Sequence, residues 1–419
     1  MKKNIAVRNL VLVNIIFSPF NLASAAGFAV MEQSVTGLAN AFAGGGAAAI
    51  DSSTIFYNPA GMSKLSGTQS AAGLHFIMPK AEFSDSGSSG LFGSLPGASR
   101  DEGGEEAVVT NFYLTSQITD SLSLGLGINA PYGLATKYQD NWVGRYHGIT
   151  SVMQTVNINP SVSYAFFDGK VSVGVGFNAQ YLHLRLTSAV DYGTICAGSA
   201  AAASCGSLGL IPQSLDSDGI AKINGDSWGY GYNVGILFEP VLGTRVSLAY
   251  RSSMTHSIKG ETRFDNKPAG AQALFSAPNG PFQTTDTQGD LDLPETVSLS
   301  FFQDINNQWA IMGDITWTNW SRFEDLKINF ENPNQPTTVT PEKWDDVFRY
   351  ALGVSYTPVS EWTFRAGTSY EETPIASADH RTPRIPDNNR YWLSIGASYS
   401  PFEHLNIDFA YSHIFMHNS

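Results

Sequence analysis

The stretches 121-SLSLGLGINA-130, 171-VSVGVGFNAQY-181 and 246-VSLAYRSS-253 place Val, Leu, Ile, Phe or Tyr at nearly every second position, with mostly small or polar residues between them. This period of two is typical of a β-strand with one apolar and one polar face. The pattern recurs from about residue 67 to residue 414, including 350-YALGVSYTP-358 and 403-EHLNIDFAYS-412. The chain is therefore predicted to be all-β.

The connections between these strands sort into two kinds, short turns and long loops, which alternate along the chain. Outer-membrane barrels have this asymmetry, because periplasmic turns only close hairpins while the outer loops carry function. A soluble sandwich would not sort its connections in this way. We therefore predict a transmembrane antiparallel β-barrel with a periplasmic N-terminus. The short turns are 118-ITDS, 167-FDGK, 239-EPVLGT, 304-DINNQ, 357-TPVSE and 400-SPFEH, and the long loops cover about 84–106, 130–148, 190–226, 260–290, 322–344 and 371–389.

Composition agrees with this class. Only 15% of the 419 residues are charged, 12% are aromatic and 40 are Gly, which suits an apolar belt, aromatic girdles and small inward side chains. The net charge of −13 argues against a nucleic-acid partner. It favours a surface where divalent cations bridge the protein to lipopolysaccharide, so outer-membrane lipid and lipopolysaccharide are the predicted surroundings.

The N-terminus has the features of a secretory signal peptide. Lys2, Lys3 and Arg8 precede a short apolar stretch over residues 10–20, and the small residues 23-ASA-25 follow it. Residues 1–25 are therefore predicted to be removed on export, so that the mature chain starts at Ala26. The exported compartment is oxidising, so Cys196 and Cys205, both in one long loop, are predicted to form a disulfide; two unpaired thiols are the alternative.

The segment before the first strand departs from the strand pattern. It reads 26-AGFAVMEQSVTGLANAFAGGGAAAIDSSTIFYNPAGMSKL-65 and predicts a short helix near residues 32–42, a glycine cluster and a turn at Asn58, Pro59 and Ala60. So few residues bury too little surface to fold alone. We therefore predict a hatch of residues 26–66 that fills the lumen of a barrel formed by residues 67–419.

The chain resembles the FadL/TodX family of outer-membrane transporters for long-chain fatty acids and other hydrophobic compounds. The resemblance implies a fourteen-stranded barrel plugged by the hatch, with no enzymatic activity, cofactor or metal. It also implies that a substrate is caught between two outer loops, passes to a pocket beside the mature N-terminus, and leaves sideways near a kink in the third strand. The resemblance rests on Ala26-Gly27-Phe28, Glu32, Gly37-Leu38, Ala41, Gly44, Asp51, Asn58-Pro59-Ala60, 130-APYGLATKY-138, 144-GRYHGITSVMQTVNINPSVSY-164, 250-YRSSMTHSIKGE-261, 293-LPETVSLSF-301 and 383-PRIPDNNRYWLSIGASY-399.

The resemblance assigns two sets of residues outside the pocket. The outer groove is expected between the loops after the fifth and seventh strands, although loops also need small cores of their own. The kink is expected at two glycines and the break that follows them, although inward glycines can equally make room for the hatch. The groove residues are Leu208, Leu210, Ile211, Leu274, Phe275 and Phe282, and the kink residues are Gly125, Gly127, Asn129 and Pro131.

For the pocket, side-chain parity separates the inward from the outward face of each strand. If Tyr250, Tyr350 and Phe364 face lipid, the neighbouring residues Arg251, Arg349 and Arg365 face the lumen, as do Asp314 and Asp408. An inward Arg can neutralise a carboxylate head group while Phe28 lines the path of the tail. The alternative is a structural Arg–Asp network between hatch and wall, which is favoured for any single arginine because a buried charge needs a partner.

The predicted function is passive uptake of long-chain fatty acids, with lateral exit into the bilayer. Exposing an acyl chain to water costs roughly 0.8 kcal/mol per CH₂, which an apolar path avoids. Uptake of aromatic or other hydrocarbons by the same kind of barrel is the first alternative. A general porin is the second, but a porin lumen is open and highly charged. A hydrolase is disfavoured because no G-x-S-x-G occurs and His147, His183 and His256 are scattered. A plugged barrel of this size needs no partner subunit and is expected to be a monomer.

The number of strands is unusual. The pattern gives about thirteen, ending with the strand that starts near residue 403, whereas single-chain bacterial barrels have an even number. The sequence therefore predicts a family member that lacks the closing strand, with open edges whose unpaired backbone groups are costly in lipid.

Overall fold

The wall of the protein is formed by thirteen long antiparallel strands, each paired with the next along the chain. The computed structural model describes residues 27–278 and 280–417, so the predicted signal peptide and Ala26 lie outside the described residues. The strands are β1 (Thr68–Ile77), β2 (Ala107–Gln117), β3 (Leu122–Asn129 and Gly133–Lys137), β4 (Thr150–Phe166), β5 (Val171–Asp191), β6 (Asp218–Val241), β7 (Thr244–Arg251 and Met254–Asp265), β8 (Thr285–Leu293 and Thr296–Asp304), β9 (Trp309–Thr318), β10 (Val347–Val359), β11 (Trp362–Glu371), β12 (Arg390–Phe402) and β13 (Leu405–Met416).

The pairing pattern is that of an antiparallel barrel wall, and the all-β prediction is confirmed. Between the two ends of the wall, no residue register joins β13 to β1 in the described part of the chain. The count of about thirteen strands therefore agrees with the structure over residues 27–278 and 280–417.

Short helices, 3₁₀ turns and short strands accompany the thirteen long strands. None of the helices in the described residues is long and apolar enough to cross a membrane. The helices are α1 (Val35–Leu38), α2 (Gly45–Ala48), α3 (Thr54–Tyr57), α4 (Tyr192–Ala197) and α5 (Ala269–Phe275), with 3₁₀ turns at Pro59–Lys64, Ala202–Ser204, Leu215–Ser217, Trp320–Arg322 and Ala378–His380. The outer loops contain the short strands Glu82–Ser84, Ser89–Gly90, Gly93–Ser94, Arg100–Glu102, Asp325–Phe330 and Thr338–Pro341.

The two faces of the wall differ as the alternation in the sequence predicts. Tyr350 and Phe364 are 44% and 46% exposed on the outside. Arg349, next to Tyr350, is buried on the inside, as is Arg251. Small inward residues leave room in the lumen for the segment Gly27–Leu65, which we call the hatch from here on.

Glycines in the wall allow the hatch to approach it closely. A Cβ atom on Gly174 would lie 2.2 Å from the backbone nitrogen of Ala60, and one on Gly235 would lie 1.9 Å from Oδ1 of Asn58. Asn58 is fully buried, donates from Nδ2 to the carbonyl of Gly46 at 2.9 Å, and accepts from the Ala60 N–H at 3.0 Å. The Asn58-Pro59-Ala60 motif therefore packs directly against two wall positions that have no side chain.

The hatch is less helical than the sequence predicts. In place of one helix near residues 32–42, it contains α1 alone in that range. Ala41 and Phe42 have φ angles of +54° and +58°, a left-handed conformation that cannot continue an α-helix. The chain turns there to follow the inside of the barrel.

The wall is interrupted between β2 and β3. These strands pair only from Phe112↔Ile128 to Gln117↔Ser123. The second part of β3, Gly133–Lys137, pairs with β4, and its Thr136 also forms a single bridge with Gly104 of the loop before β2. In the described pairings, residues 107–111 of β2 therefore have β1 on one side and no strand on the other. We call this interruption the wall gap.

Of the four predicted kink residues, two lie at this gap and two lie in regular strand pairing. Gly125 and Gly127 lie in regular pairing with both neighbouring strands. A Cβ atom on Gly125 would lie 2.4 Å from the Met62 sulfur of the hatch, so this position makes room for the hatch. Asn129 ends the first part of β3, and Pro131, which has no N–H to donate, lies inside the break.

We expect substitution of a wall glycine that contacts the hatch to displace the hatch. Gly174→Ala would bring a methyl group onto the backbone of Pro59 and Ala60; overpacking of this kind destabilises by about 1–3 kcal/mol. Ion conductance in planar bilayers should therefore rise above that of the parent protein. Gly313→Ala is the matched control, because its nearest neighbours are 3.5 Å away. Equal conductance in both variants and the parent would contradict the seating of the hatch on Gly174.

Candidate functional site

A cavity of about 100 Å³ lies between the hatch and the wall. Its hatch side is formed mainly by apolar and aromatic residues, including Val30, Phe42 and Phe56. Its wall side includes Pro131 and Tyr132 at the wall gap and polar groups on β6 to β11. Ligand pockets usually span roughly 300–1,000 Å³, so only part of a long substrate fits while the hatch stays in this position.

Arg251 of β7 is the unusual charge in this cavity. Its side chain is buried, its Nη1 donates to Oδ1 of Asn178 at 2.8 Å, and its Nη2 donates to the carbonyl of Phe56 at 2.8 Å. The guanidinium also lies 4.5 Å from the centre of the Phe56 ring. Among the described residues, no carboxylate forms an ion pair with Arg251. The cavity therefore holds a buried positive charge that is not neutralised.

The other two predicted arginines have acidic groups nearby. Arg349 also lines the cavity, but its Nη1 lies 3.8 Å from Oδ1 of Asp314 and its Nη2 donates to the carbonyl of Ala41. Arg365 does not line the cavity; it donates to Ser398, which in turn donates to Asp408. These contacts fit the structural network that the sequence offered as the alternative, and they leave Arg251 as the arginine available to a ligand.

Phe28 lies beside the cavity rather than in its lining, at the centre of an aromatic cluster. Its ring is 4.8 Å from Trp320 and 5.5 Å from Phe323 and from Trp344, between ring centres. Tyr132, at 6.1 Å from Phe28, connects this cluster to the wall gap. The four partners come from three separate parts of the chain, because only Trp320 and Phe323 are near each other in sequence, and the strand pattern therefore did not single them out.

The hatch supplies the backbone pairing that β3 lacks at its break. The N–H of Val30 donates to the carbonyl of Pro131 at 2.9 Å, and the N–H of Gly133 donates to the carbonyl of Phe28 at 2.8 Å. Ala29 and Tyr132 form an antiparallel bridge between these bonds. The first hatch residues thus act as a short strand that covers the break from inside.

The outer loops form a packed cluster instead of an open groove. Leu210 and Phe275 are buried beside Tyr192, while Leu208, Leu274 and Phe282 are partly buried against them. Cys196 and Cys205 form a disulfide within this cluster. Of the six predicted groove residues, Ile211 alone is largely exposed, at 60%. The expected groove residues therefore serve first as the core that joins these loops.

Glu32 is a buried carboxyl group on the hatch. Burial raises its pKa to about 7, repulsion from Glu371 adds to that shift, and Arg390 opposes it. Its Oε2 has no hydrogen-bond partner in the described residues. Glu32 does not line the cavity, so we treat it as a group that affects hatch stability.

An antiparallel barrel wall, a lumen filled by an N-terminal segment and an interrupted wall strand are the architecture of an outer-membrane transport protein. A family profile described as outer membrane protein transport protein (OMPP1/FadL/TodX) matches residues 20–419. The chain belongs to this family.

Individual relatives agree with that assignment. The long-chain fatty acid transport protein of Escherichia coli K12 is 32% identical over 398 residues, covering 93% of this chain and 87% of the relative. Outer membrane protein P1 of Haemophilus influenzae is 27% identical over 410 residues, covering 94% and 86%.

Solved structures share the fold. A Pseudomonas aeruginosa FadL homologue matches with a TM-score of 0.77 at 24% identity, covering 94% of this chain and 92% of that one. The Pseudomonas putida toluene transporter TodX matches with a TM-score of 0.63 at 17% identity, covering 94% and 93%.

The raised pKa of Glu32 predicts a pH-dependent stability. Because the folded-state pKa of about 7 exceeds the ordinary value of 4.5, folding disfavours the charged form, and stability should fall as pH rises from about 4.5 to 7. Glu32→Gln should lose less stability over this interval in thermal unfolding at pH 4.5 and pH 8. The exposed Glu106→Gln is the control. A parent-like pH response of Glu32→Gln would contradict this assignment.

Proposed function

We propose that this chain takes up long-chain fatty acids from outside the cell by passive diffusion and delivers them sideways into the outer membrane. The observation that carries the proposal is Arg251, a buried guanidinium with no acidic partner in the described residues, which lines the cavity between hatch and wall. A carboxylate head group would supply the missing negative charge. The name of the relative from Escherichia coli supports the same substrate class.

The route follows from the arrangement of apolar groups. The acyl tail would lie along the aromatic cluster around Phe28, where each buried CH₂ contributes roughly 0.8 kcal/mol. The cavity also borders Pro131 and Tyr132 at the wall gap. We propose that residues 28–30 of the hatch separate from β3 to let the substrate pass through this gap. The small volume of the cavity supports a step of this kind, since a long chain needs the hatch to move.

The same proposal includes the organisation of the chain and its surroundings. We propose a signal peptide of residues 1–25, a hatch of residues 26–66 and a barrel of residues 67–419. We also propose a periplasmic N-terminus, a monomeric state, and contact with outer-membrane lipid and lipopolysaccharide. The cluster of outer-loop residues around Leu210 and Phe275 is proposed as the first capture site once these loops separate.

Uptake of aromatic hydrocarbons is the second candidate function. It is favoured by the rings of Tyr132, Trp320, Phe323 and Trp344 beside the cavity and by the likeness in fold to a toluene transporter. A hydrocarbon has no charged group for Arg251. The response of Arg251 to substitution therefore separates the two functions.

Arg251→Leu should weaken oleate binding to the purified protein by about 10- to 100-fold, because hydrogen bonds to charged groups contribute roughly 1.5–3 kcal/mol. Arg251→Lys keeps the charge but not the planar guanidinium group, and it should lose less oleate affinity. The surface variant Arg185→Leu is the control, since Arg185 is exposed on β5. Heat-modifiable mobility on gels verifies that each barrel is folded. Parent-like oleate binding by folded Arg251→Leu would contradict the assignment of the head group to Arg251, the observation on which the choice of fatty acids over hydrocarbons rests.

A further inference from the structure

Polar side chains lie on both sides of the wall gap, apart from the cavity. His75 of β1 and Asn111 of β2 face inward on one side, and they are 3% and 6% exposed. Gln33 of the hatch, which is fully buried, lies on the other side. Val30, Ile77, Val109 and Ala130 form an apolar cluster on the same inner side of the gap. None of these polar residues lines the cavity that contains Arg251.

Hydrogen bonds fix the orientation of these groups. Gln33 donates from Nε2 to the carbonyls of Val30 at 3.0 Å and Ala130 at 2.8 Å, so it ties the hatch to the break in β3. Asn111 Nδ2 donates to the carbonyl of Glu32 at 3.4 Å and lies 3.0 Å from Nε2 of His75. Because an amide NH₂ only donates, Nε2 of His75 accepts this bond, and the ring proton of the neutral imidazole is on Nδ1.

Two of the buried polar atoms that have no partner in the described residues belong to Gln33 and His75. They are Oε1 of Gln33 and Nδ1 of His75. The first can only accept a hydrogen bond, and the second, in this tautomer, donates one. Leaving such atoms unpaired when buried is unfavourable. The pair is complementary to a protonated carboxylic acid, which offers an O–H and a C=O.

We propose that Gln33 and His75, positioned by Asn111, form an exit site for the protonated head group of the substrate at the wall gap. This inference rests on the proposed function, and it adds a second polar position to the one at Arg251. Arg251 selects the carboxylate form, whereas the acceptor-only oxygen of Gln33 would repel a carboxylate and bind an acid O–H. The head group therefore takes up a proton from solvent between the two sites.

The physical need for such a site is clear from the nature of the bilayer. A charged carboxylate entering hydrocarbon loses its hydration at a cost of many kcal/mol, whereas the neutral acid is far less costly to transfer. A route lined only by Val30, Ile77, Val109 and Ala130 would offer the departing head group no hydrogen bond at all. Gln33 and His75 provide one acceptor and one donor where the head group must cross.

The test compares binding with uptake in Gln33→Leu and His75→Leu. Oleate binding to the purified barrel reports the Arg251 site and should stay within about twofold of the parent. Oleate uptake, in cells without their own transporter and at equal amounts of folded barrel, should fall about 3- to 10-fold in each variant, as expected for the loss of one hydrogen bond of about 0.5–1.5 kcal/mol. Gln33→Leu also removes two hydrogen bonds of the hatch, whereas His75→Leu removes no direct bond to it, so a loss of uptake in both variants is not explained by damage to the hatch.

Ser163→Ala is the matched control, because its hydroxyl is also buried and unpaired but lies on β4. It should bind and take up oleate like the parent. Unchanged uptake in both test variants would overturn the exit site while leaving the proposed function intact. A parallel loss of binding and uptake would also overturn it, because the two residues would then belong to the first site. If the parent protein itself binds no oleate, the proposed function fails before the exit site is tested.

Discussion

The constraint on which this structure depends is that backbone groups inside a membrane must be paired. An N–H or C=O without a partner in hydrocarbon costs several kcal/mol, so a break inside a wall strand is costly unless another segment pairs with it. Here β3 breaks at Pro131, and the hatch pairs with the exposed backbone through Phe28 and Val30. The β3 side of the wall gap is therefore paired with a segment that is not part of the wall.

The same segment connects the gap to the proposed binding site. Val30 contacts both the cavity and the apolar residues at the gap, and Phe28 holds the aromatic cluster together. A ligand that enters this region must compete with the hatch for the same apolar surface. In the proposed function, occupation of the cavity and opening of the gap are therefore coupled through residues 28–30, and a substrate that moves toward lipid needs no external energy source.

Much of this could be predicted from the sequence, for physical reasons. Period-two alternation fixes which side chains face inward, so Arg251 and Arg349 were placed correctly on the inner face, and the number of strands follows from counting turns. Parity cannot say which arginine has an acidic partner, because Asp314 and Asp408 come from other strands. Nor could composition show that Leu210 and Phe275 pack into a loop core, since that depends on how two distant loops meet. Gly125 was ambiguous in the sequence, and contact with Met62 shows that it accommodates the hatch.

The most direct test of the account is to lock the hatch to the wall at the Ala29–Tyr132 bridge. Cysteines at these two paired positions fall within the usual range for a disulfide, because paired Cα atoms in antiparallel strands are about 4.5–5.5 Å apart. We expect the oxidised Ala29→Cys/Tyr132→Cys protein to lose oleate uptake and recover it on reduction. The parent protein under the same reductant controls for Cys196–Cys205, and the single variants control for the lost side chains. Parent-like uptake with the cross-link intact would contradict the proposal that the hatch must separate from β3.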